Sequence, residues 1–344
     1  MEKPKEISDV IFKRFIESGN INLLIGSGCS LPYIKTLGNI EEEMNSPDEE
    51  KKLAGRTKYY ELINKSKAVL NGEYEKDGEL KEVKNNYDSF LKCWLEIILK
   101  RKSSILNKQI NIFTTNFDIF IENSCERMKI IYNDGFSGRI KPVFDAANFN
   151  RIQKYKTLQF DNISDIPVFN IIKIHGSVSW KKEEKSEEIV YSDGSHIEDD
   201  LLKKDNEEFK KGYDKILVVN PNAEKHFETV LDTNYAALLR KFVLELEKEN
   251  SILLIFGFSL KDKHIKELLF GVLKANPTLN VIYFSHKKCE DEELLEREGT
   301  NPNFFIKENI SFGSVSEFLN KVFNFNHERI NQDYVYYYIS DKNK

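Results

Sequence analysis

Ile110-Asn111-Ile112-Phe113-Thr114-Thr115-Asn116-Phe117-Asp118 is a mostly apolar run that ends abruptly in polar residues. Ile110 to Phe113 reads as a buried strand, and Thr114-Thr115-Asn116 as its end. Three other stretches share this layout. Ile21 to Ile25 runs into Gly26-Ser27-Gly28-Cys29-Ser30, Val168 to Ile174 into His175-Gly176-Ser177, and Ser251 to Phe256 into Gly257-Phe258-Ser259. In an open α/β sheet the carboxyl ends of the strands form the crevice where nucleotides bind. The four motifs are therefore expected to meet at one sheet edge.

Between these strands lie helical patterns. Residues 7–18 carry apolar positions at helical spacing, stopped by Gly19-Asn20. A mostly helical insertion is expected at about 41–108, with an apolar helix around Phe90, Trp94, Leu95, Ile98 and Leu99. Further helices are expected over 119–128, 235–246, 265–273 and 314–323. Residues 129–165 read as irregular strands and loops, and 181–212 as a charged, solvated excursion. Ile216 to Val219 reads as a strand leading to Asn220-Pro221-Asn222, and Val281 to Ser285 as the final parallel strand. This alternation predicts an α/β fold: one Rossmann-like domain over 1–344 whose mostly parallel sheet carries helices on both faces. The Tyr-rich stretch Tyr334 to Ile339 is read either as an edge strand or as a self-association surface.

The chain's 344 residues are 40% apolar, enough to bury a sizeable core. With 51 basic against 56 acidic residues, the net charge of −5 argues against nucleic acid as the main partner. No N-terminal apolar signal region and no run of about 18 apolar residues is present. Together with the mean hydropathy of −0.50, that predicts a soluble cytoplasmic protein. Cys29, Cys93, Cys125 and Cys289 are far apart and form no C-x-x-C pair, against a disulfide framework or a zinc ribbon. No metal is expected.

Each motif has a chemical and a structural reading. The Gly-x-Gly of residues 26–28 lets a backbone turn closely around a ligand, with a following helix aimed at a phosphate; it is equally an ordinary glycine turn. Leu31 stands where a dinucleotide fingerprint has its third glycine, and no Lys-Ser/Thr follows, which excludes a P-loop. Asn116 either orients a water or sugar hydroxyl or caps the helix beginning near Phe117. Asp118 could accept hydrogen bonds beside it. His175, followed by a glycine, is a candidate general base. Trp180 either walls the site or anchors a loop. His196 and His226 lie in charged or loop segments and receive no role. Gly257 permits close approach, Ser259 can bond a ribose or phosphate oxygen, and Asp262 reads as a helix cap.

In this order the four motifs resemble the sirtuin pattern of Gly-Ala-Gly-x-Ser, Thr-x-Asn-x-Asp, His-Gly and Gly-x-Ser. The chain departs from the sirtuin deacylases in lacking their four-cysteine zinc module and a peptide-pairing segment after Ser177. It is more similar to the sirtuin-like NADases of bacterial anti-phage defence and, through Leu37-Gly38-Asn39-Ile40, to the sirtuin-like partners of HerA-type ATPases. The resemblance implies NAD as substrate, with Gly26, Ser27, Gly28, Cys29 and Ser30 at the pyrophosphate and nearby ribose. It places Gly257 and Ser259 on the adenosine side and Thr115 among the binding residues. It implies Asn116 orienting water or ribose, His175 as base, and Asp118 at the nicotinamide end. It also implies a homo-oligomer or an ATPase partner controlling the activity. The competing readings are a non-hydrolysing NAD or ADP-ribose sensor, a protein deacylase, and a nuclease-associated assembly subunit.

Overall fold

The computed structural model describes residues 5–101, 106–156, 163–183, 186, 188–204, 206–213, 215–218, 233–287 and 301–325. The N-terminal part holds β1 (Lys5–Glu6), α1 (Asp9–Ser18), β2 (Asn20–Ile25) and a 3-10 turn at Ser27–Ser30. Four helices follow: α2 (Ile40–Met44), α3 (Glu49–Lys65), α4 (Lys67–Leu70) and α5 (Gly78–Lys100). Next come β3 (Gln109–Thr114), α6 (Phe120–Met128), β4 (Tyr132–Asn133), β5 (Phe136–Ser137), β6 (Val143–Phe144), β7 (Lys154–Lys156) and β8 (Ile163–Asp165). β9 (Val168–Lys173), β10 (Gly176–Lys182), β11 (Ile189–Tyr191), α7 (Asn206–Tyr213) and β12 (Ile216–Val218) continue the chain. It closes with α8 (Thr233–Glu247), β13 (Ser251–Phe256), α9 (Lys263–Ala275), β14 (Asn280–Phe284), β15 (Phe304–Lys307) and α10 (Phe312–Phe323).

Among the described residues, eight strands form one sheet in the order β1-β15-β14-β13-β2-β3-β9-β4, with every pair parallel. Parallel strands covered on both faces read as apolar runs, which is why β2, β3, β9 and β13 stand out in the sequence. Their residues alternate between two cores. Leu23, Ile112, Ile171 and Leu254 face α1, α5, α6 and α10, through Phe12, Phe90, Trp94, Phe120 and Val315. Leu24, Phe113, Ile172 and Leu253 face α8 and α9, through Leu238, Phe242, Ile265 and Leu269. Helices thus cover both faces of a mixed α/β fold.

A polar ladder interrupts the second core. Asn22, Asn111, Asn170 and Asn133 are register partners across β2, β3, β9 and β4. Each amide donates to the next: Asn133 to Asn170 at 3.3 Å, Asn170 to Asn111 at 2.9 Å, and Asn111 to Asn22 at 2.9 Å. The second Asn111 N–H reaches Glu245 at 3.1 Å, whose carboxylate is held by Lys241 and Lys248. Buried amides are tolerated only when paired in this way.

Three expectations are corrected here. The strand over Val281 to Ser285 is not the last, because β15 and β1 extend the parallel sheet beyond it. β12 is a strand, but it pairs antiparallel with β10 in a separate sheet of order β12-β10-β11-β6-β5. The stretch 181–212 is not a solvated excursion. Its described part holds β11 and α7 and buries Ile189, Ile197, Leu201 and Phe209. Tyr60 donates to the Glu198 carbonyl at 2.6 Å and Lys67 to that of Ile197 at 2.9 Å, which ties it to α3 and α4. Charged residues dominate its composition while a few apolar ones decide its packing. Trp180 anchors, stacking within reach of Phe136, Phe144 and Tyr235. Tyr334 to Ile339, Asn220 to Asn222, His226 and Cys289 lie outside the described residues.

His196 is part of this packing. Its Nδ1 lies 2.8 Å from the Ser192 hydroxyl, and its Nε2 is buried without a hydrogen-bond partner. Burial, followed by the nearby Lys181, lowers its pKa to about 4. A depressed histidine stabilises the fold above the unfolded value of about 6.5, and that stability is lost as pH falls toward 4. The loss expected is on the order of 2 kcal/mol, discounted for partial exposure. Melting curves at pH 7.5 and 5.0 check this: His196→Asn should lose several degrees less than the wild type. Equal losses would refute it.

Candidate functional site

The sheet order reverses between β2 and β13, since β2 connects onward toward β3 and β13 toward β14 on the other side. Such a switch point opens a crevice at the strand carboxyl ends. The two glycine motifs sit there, packed backbone against backbone. The Gly26 N–H donates to Phe256 O and the Gly28 N–H to Gly257 O, both at 2.9 Å. A Cβ on Gly26 would stand 2.6 Å from Gly257 O, and one on Gly257, whose φ is +58°, 2.6 Å from Cys29 N. These glycines are thus required by the contact between loops. The helix expected after the motif is absent: Ser27–Ser30 is a single 3-10 turn, and Leu31 is extended. Ser27, Gly28, Gly257 and Ser259 remain at least partly exposed at this edge, as does Thr115. Cys29 is buried, and burial followed by Asp118 pushes its thiol well above the usual range, so it is a small packing residue.

Asn116 joins β3 to this edge. Its backbone N–H donates to Thr114 Oγ1 at 3.0 Å, and that hydroxyl donates to Ile25 O at 2.9 Å. The side-chain nitrogen lies 3.1 Å from Gly26 O, 3.2 Å from Ser30 Oγ and 3.4 Å from the Tyr87 hydroxyl. A carbonyl can only accept, so the nitrogen must face Gly26 and the amide oxygen must face away. That oxygen, Oδ1, is buried and has no hydrogen-bond partner. Asn116 is therefore not the helix cap. The cap position of α6 is Ile119, and Asp118 just before it accepts the Phe120 N–H at 3.3 Å, while its other oxygen accepts the Ser30 hydroxyl at 2.8 Å. Burial, opposed by Lys173, raises the Asp118 carboxyl. Tyr87 of α5 was not singled out in the sequence; its hydroxyl is 3.2 Å from Ser30 Oγ, and burial raises its pKa well above the ordinary value.

His175 lies between β9 and β10, where the chain leaves the parallel sheet for the antiparallel one. Its Nε2 is 3.4 Å from Asp262 Oδ2. The other carboxylate oxygen of Asp262 caps α9, accepting from the His264 N–H at 3.2 Å and the Ile265 N–H at 3.4 Å. The cap reading of Asp262 holds, and the residue also sets the histidine's orientation. Loop-to-strand bonds tie the histidine segment to the Asn116 segment: Ile174 N–H to Thr114 O and Val178 N–H to Phe117 O, both 2.9 Å. The structure thus brings three of the motifs, residues 26–30, 114–118 and 257–259, into direct hydrogen-bonded or packing contact. It attaches the fourth through backbone bonds and Asp262.

Among the described residues, no group of three or more His, Cys, Asp or Glu side chains could hold a metal ion. No described helix is long and apolar enough to cross a membrane.

Residues 110–303 match a family model described as a SIR2-like domain, covering more than half of the chain. No curated protein sequence matches. Among solved structures, a SIR2 homolog–NAD complex aligns at TM-score 0.43 and 11% identity, over 93% of this chain and 96% of that one. A structure on the basis of sirtuin substrate affinity gives TM-score 0.42 and 12% identity, over 92% and 99%. A mutant Sir2 homologue with ADP-ribose gives 0.45 and 13%, over 94% and 100%.

Proposed function

The chain belongs to the SIR2-like family, and from that premise we propose that it is an NAD hydrolase, cleaving the nicotinamide–ribose bond to give nicotinamide and ADP-ribose. The observation that carries this reading is the Asn116 amide oxygen, a buried acceptor without a donor at the switch-point edge. An acceptor left so costs free energy unless a ligand supplies the donor, and a ribose hydroxyl or the attacking water would do so. Departure of nicotinamide leaves an electron-poor sugar, so the residues must hold the sugar and place the water. Asn116 orients that hydroxyl or water. His175 takes the proton, with Asp262 holding its ring and stabilising the charge gained. Ser30, Asp118 and Tyr87 fix the Asn116 amide and leave its oxygen open. Ser27, Gly28, Thr115, Gly257 and Ser259 form the exposed surface for the pyrophosphate and riboses, with Gly26 and Cys29 buried behind it as packing residues.

Unregulated NAD loss would kill a cell. We place the activity in anti-phage defence, depleting NAD when assembly of this chain or a HerA-type ATPase partner switches it on. The test is chromatographic measurement of nicotinamide and ADP-ribose from NAD, with the protein alone and with the ATPase. His175→Ala should keep its melting temperature and lose about 100-fold or more in rate. Wild-type turnover by that variant, or nicotinamide release by neither preparation, would refute the assignment.

A further inference from the structure

Lys173 is a charged residue in a strand whose every position is buried, and no motif accounts for it. It is 2% exposed. Burying an ammonium is costly unless its donors are all satisfied. An ammonium offers three donors, and Lys173 meets three acceptors. Its Nζ donates to Asn116 O at 3.4 Å and to Asp118 O, and lies 3.1 Å from Glu122 Oε1. The carbonyl between them, Phe117 O, accepts the Val178 N–H at 2.9 Å and the Ser177 hydroxyl at 3.4 Å. Three successive carbonyls of the Asn116 segment are therefore held by residues two or three positions on either side of His175.

We infer that Lys173 is a positioning residue: its ammonium fixes the backbone of Asn116–Asp118 so that the Asn116 amide and the His175 ring keep one mutual placement. The rate effect rests on the hydrolase reading; the effect on the backbone does not. A guanidinium is larger, planar and fork-shaped, and would not replace the compact ammonium here.

The test compares Lys173→Met/Glu122→Gln, which removes the ammonium together with the Glu122 carboxylate it bonds, with Glu122→Gln alone. Circular dichroism establishes that both are folded. Amide hydrogen exchange at 116–119 should speed at least ~10-fold in the double variant, with β2 and β13 still protected. The kcat for nicotinamide release should fall about 100-fold relative to Glu122→Gln, with KM changed less than about threefold, as expected for misplaced rather than missing groups. If the double variant does not fold, Lys173→Gln, which keeps two donors on a shorter stem, is read the same way. A kcat within about threefold of the control overturns the inference whatever the exchange shows, and so does a rise in KM alone. If the wild type releases no nicotinamide, the hydrolase reading falls. Lys173 is then decided by exchange alone, and unchanged protection at 116–119 overturns it.

Discussion

Asn116→Ala is expected to lower nicotinamide release from NAD by about 10³-fold or more, while the protein stays folded. Two functions of one amide are lost together. Its nitrogen pins Gly26 O at 3.1 Å, holding β3's end to the glycine loop. Its oxygen is the unpartnered acceptor at the edge. Losing the first leaves a buried carbonyl with one partner fewer and costs about 1–2 kcal/mol, too little to unfold a protein of this size. Losing the second removes the group proposed to orient the incoming hydroxyl. The check is initial rates at saturating NAD beside a urea melt. A variant retaining a tenth of the wild-type rate would remove Asn116 from the centre of the mechanism.

Gly176→Ala should be the most damaging single-methyl change at the site, costing about 3 kcal/mol or more. Gly176 has φ +77°, and a Cβ there would lie 2.0 Å from Leu217 O and 2.7 Å from the Tyr235 hydroxyl. The first contact is with backbone of β12, the strand paired to β10 through Gly176 and Val218. Relief requires that strand to move away, and His175, the adjacent residue, moves with it. Gly271→Ala in α9 is the control, since a Cβ there meets nothing within 4 Å. That change should stabilise by about 0.5–1 kcal/mol through helix propensity. Chemical denaturation of both variants tests the contrast, and a loss under 1 kcal/mol at Gly176 would contradict it.

The strand-end motifs were legible because each follows a strand buried on both faces, and such strands read as apolar runs. The same signal misplaced β12, for a short apolar run does not say whether its partner is parallel or antiparallel. β10 was missed because its buried residues include Ser177 and Ser179, whose hydroxyls satisfy each other at 2.9 Å and so enter the core at little cost. Asp262 was legible as a cap from the helical pattern of Ile265, Leu268 and Leu269 that follows it. Its pairing with His175 joins distant parts of the chain and leaves no local trace. Tyr87 and Lys173 were silent for the same reason: one looks like any apolar position of an amphipathic helix, the other like an ordinary charge.

The asparagine ladder fixes a datum line across the sheet. Gly26 stands four residues beyond Asn22, Asn116 five beyond Asn111, and His175 five beyond Asn170. Because the rungs can join only when the strands lie level, the ladder calibrates how far each motif protrudes past the common edge. A slip of one residue would displace a motif by about 3.3 Å. Productive geometry in a site tolerates about 0.5 Å. The side chains that set the tolerances of this edge thus sit in the body of its strands, well back from the edge itself, like the zero mark of a ruler.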